Sequence, residues 1–438
     1  MNVSMPCHDH PPADAAATRD RPPNLARHGF LQDPLLKRVL AALVAGGGEA
    51  RVAGGVVRNA LLGESLHEDD VIDIATTERP ERVIALAERA GFAVRPTGLT
   101  HGTVTVVASG DGRVRPFEVT TLRRDIETDG RHATVSFTDD WRADAERRDF
   151  TINALYCDAR GNVHDPLGAY GDLLDRRVRF VGDPHERIRE DYLRILRFFR
   201  FHARYGRGRL DKDGLAAAAE LKAGARELSG ERIAGELKKL LLAPGVAAVV
   251  RTMARRSILA AVLPGPFDVK ALERMVEIDE MEGETPDAML RLAALTRASP
   301  DKLKESLRLS NAEWKRLVAL DGSPDITPAL SDHERKIVLY RLGSTGYRDA
   351  VRLRWARSGA PADSAGWSAL LRLAAHWALP HFPVTGADLL AKGLAPGPVI
   401  GQTLRTLEEW WCAHGFTPDK AAILEEVAAL TGKDHGLG

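Results

Sequence analysis

The stretch "GESLHEDDVIDIATT" (63–77) carries five acidic side chains, and four of them, Glu68, Asp69, Asp70 and Asp73, crowd an apolar run at 71–75. An acid inside a buried strand is costly unless something cationic sits beside it. Acids two apart on a strand share a face, and carboxylates from neighbouring strands commonly clamp the divalent ions of phosphoryl and nucleotidyl transfer. Asp73 lies inside one apolar run and Glu118 inside a second, "PFEVTTLR" (116–123). Taken alone, a solvated loop ahead of a strand, with Glu118 half exposed, is the more ordinary reading.

Three further stretches carry groups suited to a nucleotide. "RVAGGVVRNALLG" (51–63) reads as strand, glycine turn and helix. Gly54 and Gly55 allow close backbone approach, the helix N-terminus favours phosphate, and Arg58, one turn in, adds a charged clamp. A plain turn has the same spelling. "ERRDFTINAL" (146–155) sets two arginines and an aspartate beside apolar chain, which suits an anion site or an ion-paired edge. In "REDYLRILRFFRF" (189–201), Asp191, Arg194, Arg197 and Arg200 recur every third residue, with Leu193, Ile195, Leu196 and Phe199 on the other side. An Asp and an Arg one turn apart offer an acceptor and a donor to a base edge. A solvated face with i,i+3 ion pairs is the bland alternative.

The elements that must hold these groups follow from the rest of the chain. Its 438 residues suffice for two to four domains. Basic and acidic residues balance at 61 each, so no global field marks a polyanionic partner, although a local basic face remains compatible with that balance. Cys7, Cys157 and Cys412 are too few and too scattered for a disulfide framework, which suits a reducing, cytoplasmic setting. Cys7-His8-Asp9-His10 reads as part of a disordered extension over 1–25 rather than as a metal site. No apolar run reaches the ~18–20 residues of a membrane span, and no secretory signal is legible.

From 26 to 180, β-rich runs alternate with helices such as "PERVIALAERAG", which ends at Gly91. Beyond about 185 the pattern turns helical, opening on one long amphipathic helix, "PHERIREDYLRILRFFRFHARYG". Breaks follow near 243–245, 263–266, 298–301 and 393–401. The expected architecture is an α/β head at 26–180, a helical neck at 181–265, and a helical body and tail at 266–438.

The order of these stretches, "GGVVR", the acidic strand, "EVTTLR", "RRDFTINAL", "DPLG", "EDYLRILR" and "SGERIAGELKKLL", resembles the class II tRNA nucleotidyltransferases, and in particular the bacterial CCA-adding enzymes. The resemblance covers 51–239 and resumes at 384–411 with "VTGADLLAKGLAPGPVIGQTLRTLEEWW". It implies an α+β fold, with a small polymerase β-like mixed-sheet head before an extended helical neck, body and tail. It implies template-independent addition of C, C and A to the tRNA 3′ end from CTP and ATP, with release of pyrophosphate and two magnesium ions. A monomer or weak homodimer off the membrane is expected.

By the same resemblance, Gly54, Gly55 and Arg58 contact the incoming nucleotide and Arg148 holds its phosphates or stacks near it. Asp191 and Arg194 pair with the base edge, and Arg197 and Arg200 serve the same pocket. Asp73 and Glu118 are two metal ligands. The family's first strand acid falls at Val71 here, whereas counting from Gly63 lands on Glu68 and Asp70. A short insertion with a bulge would turn Asp70 toward the metal, ahead of Glu68 and Asp69.

The near rivals are a poly(A) polymerase, which usually carries a Gly-Arg-Arg-Phe stretch where this chain reads "PTGLTHGTVTVV", and an A-adding enzyme. A catalytically impaired RNA-binding module is the rival of a different class. Asp332-His333 and Asp434-His435 are isolated pairs and do not make a phosphohydrolase site.

Overall fold

Alternation of buried and open positions, clearest in Thr103–Gly110 and Arg113–Thr121, decides which side chains leave the N-terminal sheet. The structure, a computed structural model, describes residues 21–65, 71–110, 112–129 and 132–433. The chain divides into two compact units at Leu263 and Pro264.

In the first unit, helix α1 (Pro34–Val44) is capped by Asp33 and buries Leu35, Leu36, Val39, Leu40 and Leu43, one helical stripe. Strand β1 (Ala50–Ala53) leads through Gly54 (φ 68°) into helix α2 (Gly55–Leu61). Strand β2 (Ile72–Thr76) precedes helix α3 (Pro80–Arg89), which stops before Gly91 at φ 80°. Strands β3 (Ala93–Gly98), β4 (Thr103–Gly110) and β5 (Arg113–Thr121) follow, then β6 (Arg123–Asp129) and β7 (His132–Phe137).

After helix α4 (Trp141–Glu146) come β8 (Tyr156–Cys157) and β9 (Val163–His164). The main sheet runs β3-β4-β5-β2-β1-β8-β9, with β6 and β7 in a separate ribbon. The pair β2–β5 is parallel and the others are antiparallel. Val104, Val106 and Ala108 of β4 and Phe117 and Val119 of β5 are fully buried on the face that α1 and α3 cover.

Helices α5 (Pro184–Glu190), α6 (Leu193–Tyr205), α7 (Lys212–Glu220), α8 (Gly230–Leu241) and α9 (Val246–Arg255) complete this unit. Phe150 joins α6 to the sheet region, its ring 5.0 Å from Phe201 and 4.9 Å from Phe180. Contrary to the expectation of one long helix, α5 and α6 are separate. Asp191 is extended (φ −158°, ψ 107°), and its Oδ1 accepts from Leu193 N at 3.1 Å, so a helix-compatible pattern is interrupted by a side chain that caps the next turn. Asn24 and Leu25, at the end of the expected extension, are placed: Leu25 is buried and its N–H bonds Gly161 O.

The elements of the second unit are helices, joined by loops and one isolated bridge between Phe267 and Thr296 among its described residues. A helix at Asp332–Ser358 kinks at Gly343 (φ 67°, ψ 167°). The buried Asp279 carboxylate accepts from Arg291 at 3.0 Å and from Arg352. Near the C-terminus, Leu389, Leu407, Trp411, Cys412 and Ile423 form a small core. The expected breaks at 243–245 and 263–266 fall between helices, and those at 298–301 and 393–401 run into the first turns of helices Pro300–Leu307 and Pro398–Ala413. Among the described residues, no helix is long and apolar enough to cross a membrane.

Candidate active site

Ile72 and Ile74 are buried while Asp73 between them is open, and Phe117 and Val119 bracket an open Glu118 in the same way. The parallel register sets Asp73 directly opposite Glu118. Two carboxylates therefore leave the sheet side by side, on the face away from α1 and α3. Neighbours displace part of Asp73's water; that desolvation first, and the charge of Glu118 second, push its carboxyl up to about 6 against the pull of Arg148.

Asp73 stands at a cleft of about 540 Å³. The same cleft is lined by Gly54, Gly55 and Arg58 from the glycine turn and α2, by Arg148, and by Asp191, Arg194 and Arg197 from the start of α6. Glu118 is not among the lining residues and reaches the site through its pairing with Asp73. Arg200 is not among them either. Each three-residue step on a helix turns by about −60° relative to a full turn, so two steps carry Arg200 well around from Arg194. Its Nε bonds Glu236 on α8 at 2.5 Å.

The arginines are held by a buried frame. Arg148 donates from Nε to Tyr156 Oη at 3.1 Å and from Nη2 to Asp144 at 3.2 Å. Asp144, 1% exposed, also accepts from Arg147 Nε and from Tyr156 Oη, each at 2.8 Å. Burial alone would raise its carboxyl; Arg147, Arg148 and the tyrosine outweigh it and hold Asp144 below the usual range. Asp149 is pulled down likewise, against its burial, by Arg197, whose Nε donates to it at 2.8 Å. At Gly54 a Cβ would meet Arg148 Nη1 at 3.2 Å, so the turn packs closely on this frame.

Arg58 is 5% exposed and its donors are largely engaged by protein. Nη2 donates to Tyr205 Oη at 2.7 Å and to Asn59 at 2.9 Å, and Nη1 donates to Asn153 Oδ1. Its guanidinium also stands over the Tyr205 ring at 3.9 Å. Arg58 ties α2 to α6 as much as it faces the cleft. Of the lining residues around the start of α6, Asp191 accepts from Arg232 at 2.8 Å, and Arg194 pairs with Glu190.

Comparison with known proteins settles the family. A model described as the poly A polymerase head domain matches residues 50–179, and one described as "Probable RNA and SrmB- binding site of polymerase A" matches 208–268. Human mitochondrial CCA tRNA nucleotidyltransferase 1 is 34% identical over 408 residues, spanning 90% of this chain and 89% of its own. The CCA-adding enzyme of Streptococcus gordonii is 32% identical over 396 residues, 86% of this chain and 91% of its own. The chain belongs to the CCA tRNA nucleotidyltransferase family. The structure of the Bacillus stearothermophilus CCA-adding enzyme in complex with CTP matches with a TM-score of 0.71 at 26% identity, covering 91% of this chain and 98% of that one.

The α+β reading, a mixed-sheet head with a mostly helical remainder, holds for this member of the CCA tRNA nucleotidyltransferase family. Glu68, Asp69 and Asp70 lie outside the described residues, so the expected bulge does too, as do Cys7-His8-Asp9-His10 and Asp434-His435. Val71 is described and 48% exposed. Among the described residues no three potential ligands gather at one point. Asp73 and Glu118 still fit a hard divalent cation: they are oxygen donors paired across adjacent strands, and their mutual crowding is what a cation would relieve.

Sequence reasoning read Arg147 and Asp149 only as part of a charged trio and set Leu193 on the opposite side from the arginines, and it passed over Asn153, Phe201 and Arg232; all six line the cleft, and Asp144, also passed over, supports it. Arg147, Asp149 and Asn153 sit inside the "RRDFTIN" string, so that string itself was their signal. Asp144, four residues before Arg148, is one helical turn from it, a spacing that pairs acid with base.

Proposed function

We propose that this chain adds C, C and A to the 3′ end of tRNA from CTP and ATP, without a nucleic-acid template. The observation that carries this is the meeting in one cleft of a strand carboxylate, Asp73, with an arginine cluster and an Asp–Arg pair suited to a base edge. Family membership at 34% identity over most of the chain supports the same reading.

The terminal 3′-hydroxyl attacks the α-phosphorus and pyrophosphate leaves, with no covalent enzyme intermediate. Arg147 and Arg148 lie where they can neutralise the triphosphate, and Gly54 and Gly55 let it approach the backbone. Asp191 accepts from the exocyclic amine that C carries at N4 and A at N6, where U and G carry carbonyl oxygens, while Arg194 donates to the neighbouring ring nitrogen. Asp73 and Glu118 would hold magnesium. When bound, the metal lowers the pKa of the attacking hydroxyl and steadies the leaving group. The helical region from 266 onward holds the tRNA by shape and backbone charge. Unpaired, buried Cys157 and Cys412 suit a cytoplasmic enzyme.

The test is incorporation by purified protein with magnesium on a tRNA lacking its 3′ end. Addition of C, C and then A is expected. Addition of A alone to a tRNA already ending in CC would mark an A-adding enzyme, and long A tracts on unrelated RNA a poly(A) polymerase. No incorporation would overturn the reading in favour of a binding module.

A further inference from the structure

The oxygen atoms of Asp191 are pinned by two donors from different parts of the chain. Leu193 N, the first residue of α6, donates to Oδ1 at 3.1 Å. Arg232 Nη2, on α8, donates to Oδ2 at 2.8 Å, and Arg232 also lines the cleft. On α8, Arg232 and Glu236 stand one turn apart and so share a face. Glu236 takes the opposite charge pattern further along α6, with Arg200 at 2.5 Å and Arg197 at 3.7 Å. One face of α8 thus fixes both the acid that begins the reading segment and the arginines that follow it.

We propose that Arg232 is a specificity-determining positioning residue, which holds the Asp191 carboxylate so that it meets the exocyclic amine of cytosine or adenine. The inference rests on the CCA-adding reading and extends it to α8. A carboxylate only accepts hydrogen bonds. Cytosine and adenine place an amine at that edge, where uracil and guanine place a carbonyl oxygen. Rejection therefore depends on the acceptor staying in place. Without Arg232, only Leu193 N would hold the Asp191 carboxylate among the contacts described, and it could turn away from a carbonyl-bearing base instead of opposing it. Lysine would restore one donor but not the planar fork.

The experiment compares wild type, Arg232→Ala, Arg232→Lys, Asp191→Ala and the Arg232→Ala/Asp191→Ala double variant. Each is assayed for kcat/KM with CTP, ATP, UTP and GTP on tRNA lacking its 3′ end, and each is melted thermally. Arg232→Ala should lose roughly tenfold of its preference for CTP over UTP and ATP over GTP, and Arg232→Lys should recover part of it. The double variant should be no less selective than Asp191→Ala alone, because Arg232 acts through Asp191. Wild-type preference in Arg232→Ala, whatever its stability, overturns the proposal. So do losses that multiply in the double variant, which would put Arg232 on the nucleotide itself. Should Arg232→Ala fail to fold, Arg232→Gln decides by the same criterion. If wild type incorporates no nucleotide, the functional reading fails first and this inference falls with it; if wild type adds CCA, only the role of Arg232 is at stake.

Discussion

Asp73 on β2 and Glu118 on β5 are direct register partners across a parallel strand pair, each flanked by buried apolar residues on its own strand. Like charges so placed repel, and a cation held by both would relieve the repulsion. Asp73→Ala and Glu118→Ala should each lower incorporation by orders of magnitude while the protein stays folded, since both side chains leave the core. Normal circular dichroism and melting with lost turnover is the expected pair of results. Near-wild-type turnover in either variant would remove that residue from the metal site.

Arg58 separates two roles that the family resemblance merges. Its contacts with Tyr205, Asn59 and Asn153 are internal, so Arg58→Lys should cost stability even though it keeps the charge. A buried partner left unsatisfied costs on the order of 1–3 kcal/mol. Chemical denaturation should show this loss, and it should exceed the loss in CTP binding energy measured on the same variant. A variant of wild-type stability with badly weakened CTP binding would return Arg58 to the phosphates.

Much of this site was legible because its chemistry is local. Gly54, Gly55 and Arg58 are spelled within a few residues, and so is the embedding of Asp73 and Glu118 in apolar strands. What escaped depends on partners remote in sequence. Helical periodicity runs unbroken through Asp191 and gives no sign that its side chain caps α6 instead of continuing α5. The three-residue spacing of the arginines marks a charged face, but which of them meets the cleft and which meets Glu236 is set by where α8 packs. Arg232 finds Asp191 41 residues away, a pairing no local pattern encodes.

Gly224 offers a test of the Asp191 segment that leaves every polar group in place. A Cβ there would come within 2.1 Å of the Tyr192 ring, and Tyr192 is the residue between Asp191 and the start of α6. Gly224→Ala must move the ring, at a cost of roughly 1–3 kcal/mol for overpacking. We expect reduced kcat/KM with both CTP and ATP and a weaker preference over UTP and GTP, in a protein that still melts cooperatively. Unchanged kinetics would mean that Tyr192 does not position Asp191.

His202 sets an acid limit on stability. Burial lowers its pKa from the ordinary value, against a hydrogen bond to the Gly208 backbone, and Nδ1 has no partner among the described residues. The folded protein therefore resists protonation that the unfolded chain accepts near 6.5. Its contribution is full above that pH and declines as pH falls below it, by at most about 1.4 kcal/mol per pH unit. His202→Gln should flatten this part of the stability curve between pH 6.5 and 5 in urea titrations. An identical acid limb in both proteins would assign the loss to other groups.

Val71 stands two residues before Asp73, the spacing that shares a strand face, and it is 48% exposed where the family resemblance leads one to expect an acid. If the site takes a third carboxylate, the acids just before Val71 are its expected source. If Asp70 supplies it, Asp70→Ala should approach the inactivity of Asp73→Ala, because the triphosphate would face a site short of one ligand. Glu68→Ala and Asp69→Ala should then keep most of their activity, because neither would be the ligand. Val71→Asp distinguishes a filled site from an incomplete one. In a filled site the new carboxylate adds only repulsion, and turnover at saturating magnesium should stay level or fall. A gain in turnover from Val71→Asp would mean that the natural chain lacks its third ligand. An active Asp70→Ala beside an inactive Glu68→Ala would instead give the role to Glu68, the position reached by counting from Gly63.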